Sequence, residues 1–311
     1  MSAAMTTYDP TTGMTKATAF ENGVLLLTLT LVTMLYAMSV TIANVSLPQI
    51  KGALSATTDQ IALIVTFNII ATAVATPMTG WLTARFGRRH VMIWSVGGFT
   101  FASFLCGTAT SLEELVFYRF LQGALGAPLV PLSQAIVVDS FPKEKIGSAT
   151  AIYGMGVVLG PILAPTIGGY LSETYSWRWV FFMIVPCGMI SMVGVLAFIK
   201  RRASRPTTHL DWVGFIALAL AIASFQFMLD RGQRLDWFDN WQIVVCCWLA
   251  ILAFYVFVSH SLTSDRPFLN PHLLSKRNYV LGLMFAFVFG LLNFTPISLL
   301  PSLLQTLQGY P

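Results

Sequence analysis

Long apolar stretches alternate with short polar connections along most of the chain. A helix of about 20 apolar residues crosses the hydrocarbon core of a bilayer, which is about 30 Å thick. Nine runs of suitable length and low charge occur, which predicts nine membrane-spanning helices. They cover residues 24–47, 60–83, 91–110, 114–138, 146–171, 179–199, 212–229, 241–263 and 278–300.

The composition supports a membrane protein rather than a soluble one. Of the 311 residues, 56% are hydrophobic and only 10% are charged, and the mean hydropathy is +0.72. These values lie far outside the range of soluble domains. The first apolar run is too long for a cleaved signal peptide, so we expect it to remain as the first helix. The sequence therefore predicts an all-α polytopic membrane protein.

The basic residues predict the orientation of the chain in the membrane. The net charge is +5 and the pI is near 9.1, yet only Lys51, Arg178, Arg231 and Arg234 lie on the side away from the amino terminus. Because positively charged loops stay in the cytoplasm, we predict a cytoplasmic amino terminus in an inner (plasma) membrane. This distribution argues against nucleic-acid binding. Thirteen basic residues share the side of the amino terminus: Lys16, Arg85, Arg88, Arg89, Lys143, Lys145, Lys200, Arg201, Arg202, Arg205, Arg266, Lys276 and Arg277.

Arg119 is the charged side chain that lies well inside a predicted span. An arginine there costs about 3 kcal/mol or more, so we expect it to face a hydrated cavity. Gln122 shares its helix face, Ser39 and Asn44 lie at a similar depth in the first span, and no Asp or Glu is expected at that level. The alternative is that Arg119 extends to the outer interface, which is roughly 10 Å away along the helix.

The fifth span carries a small residue at every fourth position, and two prolines lie beside this face. The spacing places the small residues on one helix face, which lets another backbone approach closely. It predicts a kinked, tightly packed helix, with a generic close-packed membrane helix as the alternative. The residues are Gly156, Gly160, Pro161, Ala164, Pro165, Gly168 and Gly169.

The order of these residues resembles a known motif. Gly160-Pro161, Ala164-Pro165 and Gly168-Gly169 are similar to the fifth-helix antiporter motif of the Major Facilitator Superfamily, in the form seen in its drug:proton antiporters. Residues 119–123, Arg-Phe-Leu-Gln-Gly, resemble the fourth-helix motif Arg-x-x-Gln-Gly of the same superfamily, which is tied there to proton coupling.

Two further segments resemble superfamily signatures, but each lacks an acidic residue. Residues 41–48 are similar to the first-helix signature of the fourteen-helix drug:proton antiporter branch, and Ser39 stands where that branch has an aspartate. Residues 80–89 resemble the loop between helices two and three, with Ala84 at the acidic position. In the family this loop helps to gate the cytoplasmic side, a role that the resemblance gives to Gly80, Arg85, Gly87, Arg88 and Arg89.

Residues 177–186 and 229–238 also resemble this branch, in which an extra helix pair lies between two six-helix domains. The resemblance implies the first six-helix domain of the major facilitator fold, the inserted pair and the first helix of a second domain. We therefore expect the chain to be truncated at its carboxyl end. The implied boundaries are a cytoplasmic tail at 1–21, the six-helix domain at 22–200, the linker and inserted pair at 201–264, and the incomplete second domain at 265–311.

The resemblance also implies a function. A full-length relative would export hydrophobic, often cationic, drug-like compounds in exchange for protons, with substrate bound between its two domains. The implied partners are membrane lipid, a small-molecule substrate and protons. The sequence does not indicate whether a periplasmic adaptor protein binds. We expect the small-residue face of the fifth helix to pack against the helix that follows the ninth, and otherwise to meet lipid or a second copy of the chain.

Two other functions stay open. The first alternative is a non-transporting fragment or accessory membrane protein. The second alternative is a polytopic membrane enzyme. An enzyme should show clustered polar groups, whereas the four histidines are scattered and the four cysteines lack metal-ligand spacing. We therefore expect no catalytic residue, metal site or cofactor. These residues are His90, His209, His260, His272, Cys106, Cys187, Cys246 and Cys247.

Overall fold

The computed structural model describes residues 8–9, 14–15, 19–199 and 209–308, and the side chains of residues 20–199, 209–292 and 295. Most of the predicted tail and the basic start of the predicted linker, residues 200–208, lie outside the described residues. The described chain is helical, apart from a two-residue antiparallel ladder that pairs Tyr8 with Thr15 and Asp9 with Met14.

The strands and α-helices follow one another along the chain. They are β1 (Tyr8–Asp9), β2 (Met14–Thr15), α1 (Ala19–Val45), α2 (Leu47–Ala53), α3 (Thr58–Ala75), α4 (Thr79–Phe86), α5 (Arg88–Thr108), α6 (Leu112–Gly126), α7 (Leu129–Ser140), α8 (Ile146–Thr174), α9 (Arg178–Phe182), α10 (Ile184–Phe198), α11 (Trp212–Gly232), α12 (Trp241–Thr263) and α13 (Arg277–Gln308). Short 3₁₀ helices cover Thr76–Met78, Lys143–Lys145, Trp237–Asp239 and Pro271–Ser275.

Each predicted span falls on one helix or on consecutive helices. The second span corresponds to α3 and α4, the fourth to α6 and α7, and the sixth to α9 and α10. In the part of the chain that the structure describes, eight helical stretches are long and apolar enough to cross a membrane. The ninth predicted span lies within α13, of which Arg277–Leu292 counts as a shorter apolar helix. The multi-pass helical architecture is thus confirmed.

Local capping explains where several helices begin. The Thr57 hydroxyl accepts the Gln60 N–H and the Gln60 side chain accepts the Thr57 N–H, a capping box that starts α3. The Ser111 hydroxyl accepts the Glu114 N–H at the start of α6. Pro48, which follows the first predicted span, lies in the first turn of α2, where a missing N–H is harmless.

The small-residue face of α8 packs against α1. A Cβ built on Gly168 would lie 2.5 Å from Ile42 Cγ1, and one on Gly156 would overlap the Thr30 side chain. Ala164 on the same face is fully buried. The expectation that this face packs against the helix that follows the ninth span is therefore wrong, because α1 covers it. With the face covered, there is no longer a reason to expect self-association through it.

The chain forms two compact units. The first comprises Met1–Leu210 and Ala217–Phe254, and the second comprises Asp211–Ile216 and Tyr255–Pro311. In the second unit, the Asp211 carboxylate accepts the N–H groups of Gly214 and Phe268, each at 3.0 Å, and lies 2.8 Å from His260 Nε2. Asp211 thereby ties the start of α11 to the end of α12 and to the segment before α13.

Candidate functional site

Arg119 is fully buried on α6 and begins a polar network in the interior of the first unit. Its Nη1 donates to Gln122 Oε1, one turn further along the helix, and more weakly to the Ser39 carbonyl oxygen at 3.5 Å. Gln122 is also fully buried and donates from Nε2 to Ser103 Oγ at 2.7 Å. The Ser103 hydroxyl donates to the Phe99 carbonyl oxygen at 2.7 Å. The network therefore links α6 to α1 and α5.

Two nitrogen atoms of the Arg119 guanidinium group have no hydrogen-bond acceptor. Nε and Nη2 are buried and have no hydrogen-bond partner, while the Phe181 ring centroid lies 5.8 Å from the guanidinium carbon. No carboxylate in the described part of the chain is paired with this cation. A buried cation without an anionic partner is electrostatically unfavourable, and the site therefore has the capacity to attract a negative group.

Close packing of α3 against α6 fixes the position of Arg119. Asn68 Nδ2 donates to the Arg119 carbonyl oxygen at 2.8 Å, and Thr72 Oγ1 donates to the Gly123 carbonyl oxygen at 3.2 Å. Gly123 touches the Asn68 backbone so closely that a side chain there would overlap it. The sequence prediction missed Asn68, although a lone asparagine in an otherwise apolar span is a signal of an interior position.

The two predicted site residues of the first span lie in different surroundings. Ser39 is buried, but its hydroxyl donates to the Tyr36 carbonyl oxygen of the same helix at 2.8 Å, so its backbone carbonyl is what contacts Arg119. Asn44 is exposed and makes no contact with the Arg119 network. The structure thus brings Arg119 and Gln122 together with the Ser39 backbone and leaves Asn44 apart.

The basic segment at residues 80–89 is helical for most of its length. Gly80 lies within α4, where a Cβ would meet open space, so it is not part of the turn. Gly87 separates α4 from α5 with φ 83°, a conformation that favours glycine. The turn therefore depends on Gly87.

Two arginines of this segment connect it to other helices. Arg88 forms an ion pair with Asp139 near the end of α7, and Arg89 Nη2 donates to the Leu196 carbonyl oxygen of α10 at 2.7 Å. Ala84 has no carboxylate, and the carboxylate that contacts this turn comes from Asp139. Sequence reasoning missed Asp139 because it lies 51 residues from Arg88.

The motif residues of α8 are not equivalent. Gly156, Gly160, Pro161 and Gly168 are buried, whereas Pro165 is exposed and a Cβ on Gly169 would meet nothing within 4 Å. The helix runs unbroken from Ile146 to Thr174 through both prolines. The close approach is therefore limited to one stripe of the motif.

One acidic side chain contacts a buried hydroxyl group of α3. Asp230 belongs to the last turn of α11, and its carboxylate bonds to the hydroxyl of Thr66, which is fully buried on α3. Thr66 lies eight residues from the start of α3, or about 12 Å at 1.5 Å per residue. The sequence prediction missed this contact because Asp230 lies 164 residues from Thr66 along the chain.

This architecture, a multi-pass helical bundle with a buried intramembrane arginine and a glycine-stabilised basic turn, defines a class of membrane transport proteins. The chain belongs to the Major Facilitator Superfamily, whose family model matches residues 29–311. The predicted family is confirmed, and the prediction of a transporter-family protein rather than an enzyme is confirmed with it.

Relatives and solved structures agree with this assignment. The chain is 36% identical over 92% of its length to the multidrug export protein EmrB of Escherichia coli (strain K12), covering 56% of that protein. It is 36% identical over 91% of its length to the fatty acid resistance protein FarB of Neisseria gonorrhoeae, again covering 56%. The chain thus spans about half the length of the curated relatives it matches.

A crystal structure of the peptide transporter POT in complex with sulfate matches with a TM-score of 0.59. The match covers 80% of this chain and 55% of the transporter at 15% sequence identity. At this low identity the likeness confirms the fold alone.

Proposed function

We propose that the protein is a membrane exporter of hydrophobic, drug-like compounds that exchanges them for protons. The observation that carries this proposal is the 36% identity to a multidrug export protein over 92% of the chain. The sorting of basic residues supports an inner-membrane location with a cytoplasmic amino terminus. Membrane lipid surrounds the helices, and a small molecule and protons are the proposed ligands.

In this proposal Arg119 acts as a fixed positive charge inside the six-helix domain at residues 22–200. Its unpaired Nε and Nη2 groups can bind a substrate or coupling group that carries negative charge or a lone pair. Transporters of this kind rock one domain against another around a site near the membrane midplane. The Arg88–Asp139 pair and Gly87 would then control the mobility of the cytoplasmic turn.

Expression of the natural gene product in an efflux-deficient bacterial host tests this function. We expect resistance to a panel of hydrophobic dyes and antibiotics, and release of protons when a dye is added to energised inside-out vesicles. Arg119→Leu should lose both activities, whereas Arg266→Ala, which removes an exposed loop arginine, should retain them. Unchanged resistance and no proton movement, at expression equal to that of the active relative EmrB, would contradict the proposal.

Reporter fusions test the orientation separately. A reporter joined after Arg202 should give a cytoplasmic signal, because this position follows the sixth predicted span. A periplasmic signal there would contradict both the count of spans and the orientation.

A further inference from the structure

The hydroxyl group of Tyr36 joins α1 to α3 and α6. Tyr36 lies on α1, and its hydroxyl group donates to Thr72 Oγ1 of α3 at 3.2 Å. Thr72 Oγ1 in turn lies 2.9 Å from the Asn68 carbonyl oxygen and 3.2 Å from the Gly123 carbonyl oxygen of α6. The one hydrogen of the Thr72 hydroxyl serves these two acceptors, while its oxygen accepts the hydrogen of Tyr36. Three helices therefore meet at Thr72.

The ring of Tyr36 also contacts α6 directly. A Cβ built on Gly126 would lie 2.9 Å from Tyr36 Cε2 and 2.9 Å from Phe99 Cδ2, so the glycine makes room for both rings. The centroids of these two rings are 6.0 Å apart. Phe99 belongs to the Arg119 network, because its carbonyl oxygen accepts the Ser103 hydroxyl. Tyr36 thus contacts α3, α5 and α6, although it extends from α1.

The Tyr36 contacts lie one helical turn from the contacts of Arg119. Ser39 is three residues beyond Tyr36 on α1, and its carbonyl oxygen accepts from Arg119 Nη1 at 3.5 Å. Asn68 is four residues before Thr72 on α3 and holds the Arg119 carbonyl oxygen at 2.8 Å. Residues three or four apart on a helix share a face. The two sets of contacts therefore form neighbouring layers across the same three helices.

The contact between Arg119 and Ser39 is too weak to fix α1 by itself. Its length of 3.5 Å exceeds the usual range of about 2.7–3.2 Å for such hydrogen bonds. Arg119 is nevertheless fully buried, with two guanidinium nitrogen atoms that have no acceptor. A small separation of α1 from α6 would break this contact and open the guanidinium group to water. Tyr36 opposes that separation, because its hydroxyl group and its ring hold α1 at the next turn.

We propose that Tyr36 is a positioning residue for Arg119. The hydrogen bond from Tyr36 to Thr72 holds α1 at the distance from α6 at which the Ser39 carbonyl oxygen meets Arg119 Nη1. The same bond keeps water away from the guanidinium group. The effect of Tyr36 on transport rests on the proposed export function, whereas its effect on the burial of Arg119 does not.

Chemical modification of arginine tests the burial of Arg119 without transport. Phenylglyoxal reacts with accessible guanidinium groups, and peptide mass spectrometry locates the adducts. In the purified natural full-length protein, buried Arg119 should react slowly and exposed Arg266 quickly. Tyr36→Phe keeps the ring and removes the hydroxyl group. It should raise the reaction rate of Arg119 several-fold and leave that of Arg266 unchanged.

Tyr153→Phe is the matched control. Tyr153 is buried on α8, its hydroxyl oxygen lies 3.1 Å from Thr33 Oγ1, and it donates to the Val130 carbonyl oxygen at 3.0 Å. The control therefore also removes a hydroxyl group that joins helices, but outside the Arg119 network, and it should leave the reactivity of Arg119 unchanged. Equal reactivity of Arg119 in the wild type and Tyr36→Phe would overturn the proposal, and so would equal increases in both variants.

Substitutions of Thr72 show whether the hydrogen bond carries the effect. Thr72→Val keeps the shape and removes the hydroxyl group, so it should raise the reactivity of Arg119 at least as much as Tyr36→Phe does. Thr72→Ser keeps the hydroxyl group and should retain the low reactivity of the wild type. The double variant of Tyr36→Phe with Thr72→Val should match Thr72→Val alone, because both changes remove one bridge. Additive increases would overturn the hydrogen bond as the cause.

A transport measurement then tests the role of Tyr36 in export. At equal amounts of folded protein, Tyr36→Phe should lower the rate of dye export several-fold, whereas Tyr153→Phe should match the wild type. In an Arg119→Lys background the loss caused by Tyr36→Phe should be much smaller, because the donor pattern that Tyr36 positions is already gone.

Two outcomes of this measurement are decisive. Wild-type export by Tyr36→Phe, or an equal loss in both backgrounds, would overturn a role in export that acts through Arg119. If the wild type itself moves no dye, the export proposal fails, and the arginine labelling still decides whether Tyr36 positions Arg119.

Discussion

Gly160 of α8 lies so close to Met34 of α1 that a Cβ built on the glycine would be 2.6 Å from the Met34 carbonyl oxygen. That oxygen belongs to the backbone, so it cannot move aside as a flexible side chain can. The two helices therefore depend on a glycine at this point, and small residues are what allow membrane helices to approach closely.

This contact predicts unequal effects of two similar substitutions. Gly160→Ala should destabilise the protein by about 1–3 kcal/mol, because it forces α1 and α8 apart. Gly154→Ala on the same helix meets nothing within 4 Å and should be neutral or stabilising by up to about 1 kcal/mol. Thermal unfolding of both variants in detergent measures the difference, and equal melting temperatures would contradict the packing.

We expect the Arg119 side chain to lower the thermal stability of the protein and to be required for export. Replacing a buried, incompletely paired cation with an apolar residue of similar length is often neutral or stabilising by about 1–4 kcal/mol. We therefore expect Arg119→Met to raise or preserve the melting temperature and to abolish export. Arg119→Lys keeps the charge but not the two-armed donor pattern, and it should show intermediate export. A large loss of stability in Arg119→Met would indicate a structural role instead.

Ser39→Asp should place a carboxylate beside the Arg119 network. The Ser39 carbonyl oxygen already lies 3.5 Å from Arg119 Nη1, and the side chain is buried. An opposite charge at this distance interacts strongly when buried, so the variant should show export that depends more steeply on pH than in the wild type. Ser39→Asn, which has a similar shape and no charge, is the control. Indistinguishable pH profiles for the two variants would refute this prediction.

The Arg88–Asp139 ion pair should contribute little to stability. Both side chains are more than a third exposed, at 36% and 38%, and water screens such pairs to about 0–1 kcal/mol. We expect Asp139→Asn to change the melting temperature only slightly and to alter the rate of export more. The exchanged pair Arg88→Asp with Asp139→Arg should recover part of the lost rate, and a rate no better than that of Asp139→Asn would argue against direct pairing.

Asp211 should make the second unit sensitive to acid. Burial raises the pKa of this carboxyl group, but the hydrogen bonds from the Gly214 N–H, His260 and the Phe268 N–H outweigh that effect and leave the pKa below its usual value. A lowered folded-state pKa gives stability that is present above the unfolded-state value of about 4 and is lost as the pH falls towards the folded-state value.

Replacing the Asp211 carboxylate should therefore have a pH-dependent effect. Asp211→Asn should lower the melting temperature at about pH 7 and lose this difference from the wild type near about pH 3. His260→Gln removes one of the three partners of Asp211 and should have a smaller effect. A constant difference between Asp211→Asn and the wild type at all pH values would show that the carboxylate charge contributes nothing.

The sequence by itself determined the positions of the helices and the character of several sites. Apolar length set the spans, because the bilayer imposes one length on every crossing segment. The cost of an intramembrane charge predicted that Arg119 faces the interior, and the four-residue spacing of small residues predicted the close-packed face of α8. These signals are local, so they can be read without knowledge of neighbouring helices.

Only the tertiary structure decided which residues meet. It placed α1 against the small-residue face of α8, buried Ser39 and exposed Asn44. It also brought Asp139 to Arg88 across 51 positions and Asp230 to Thr66 across 164. Helix periodicity reveals that a face is suited to close packing, but the partner of that face depends on the order in which the helices assemble around one another. The carboxylate that pairs with Arg88 therefore comes from a distant part of the chain.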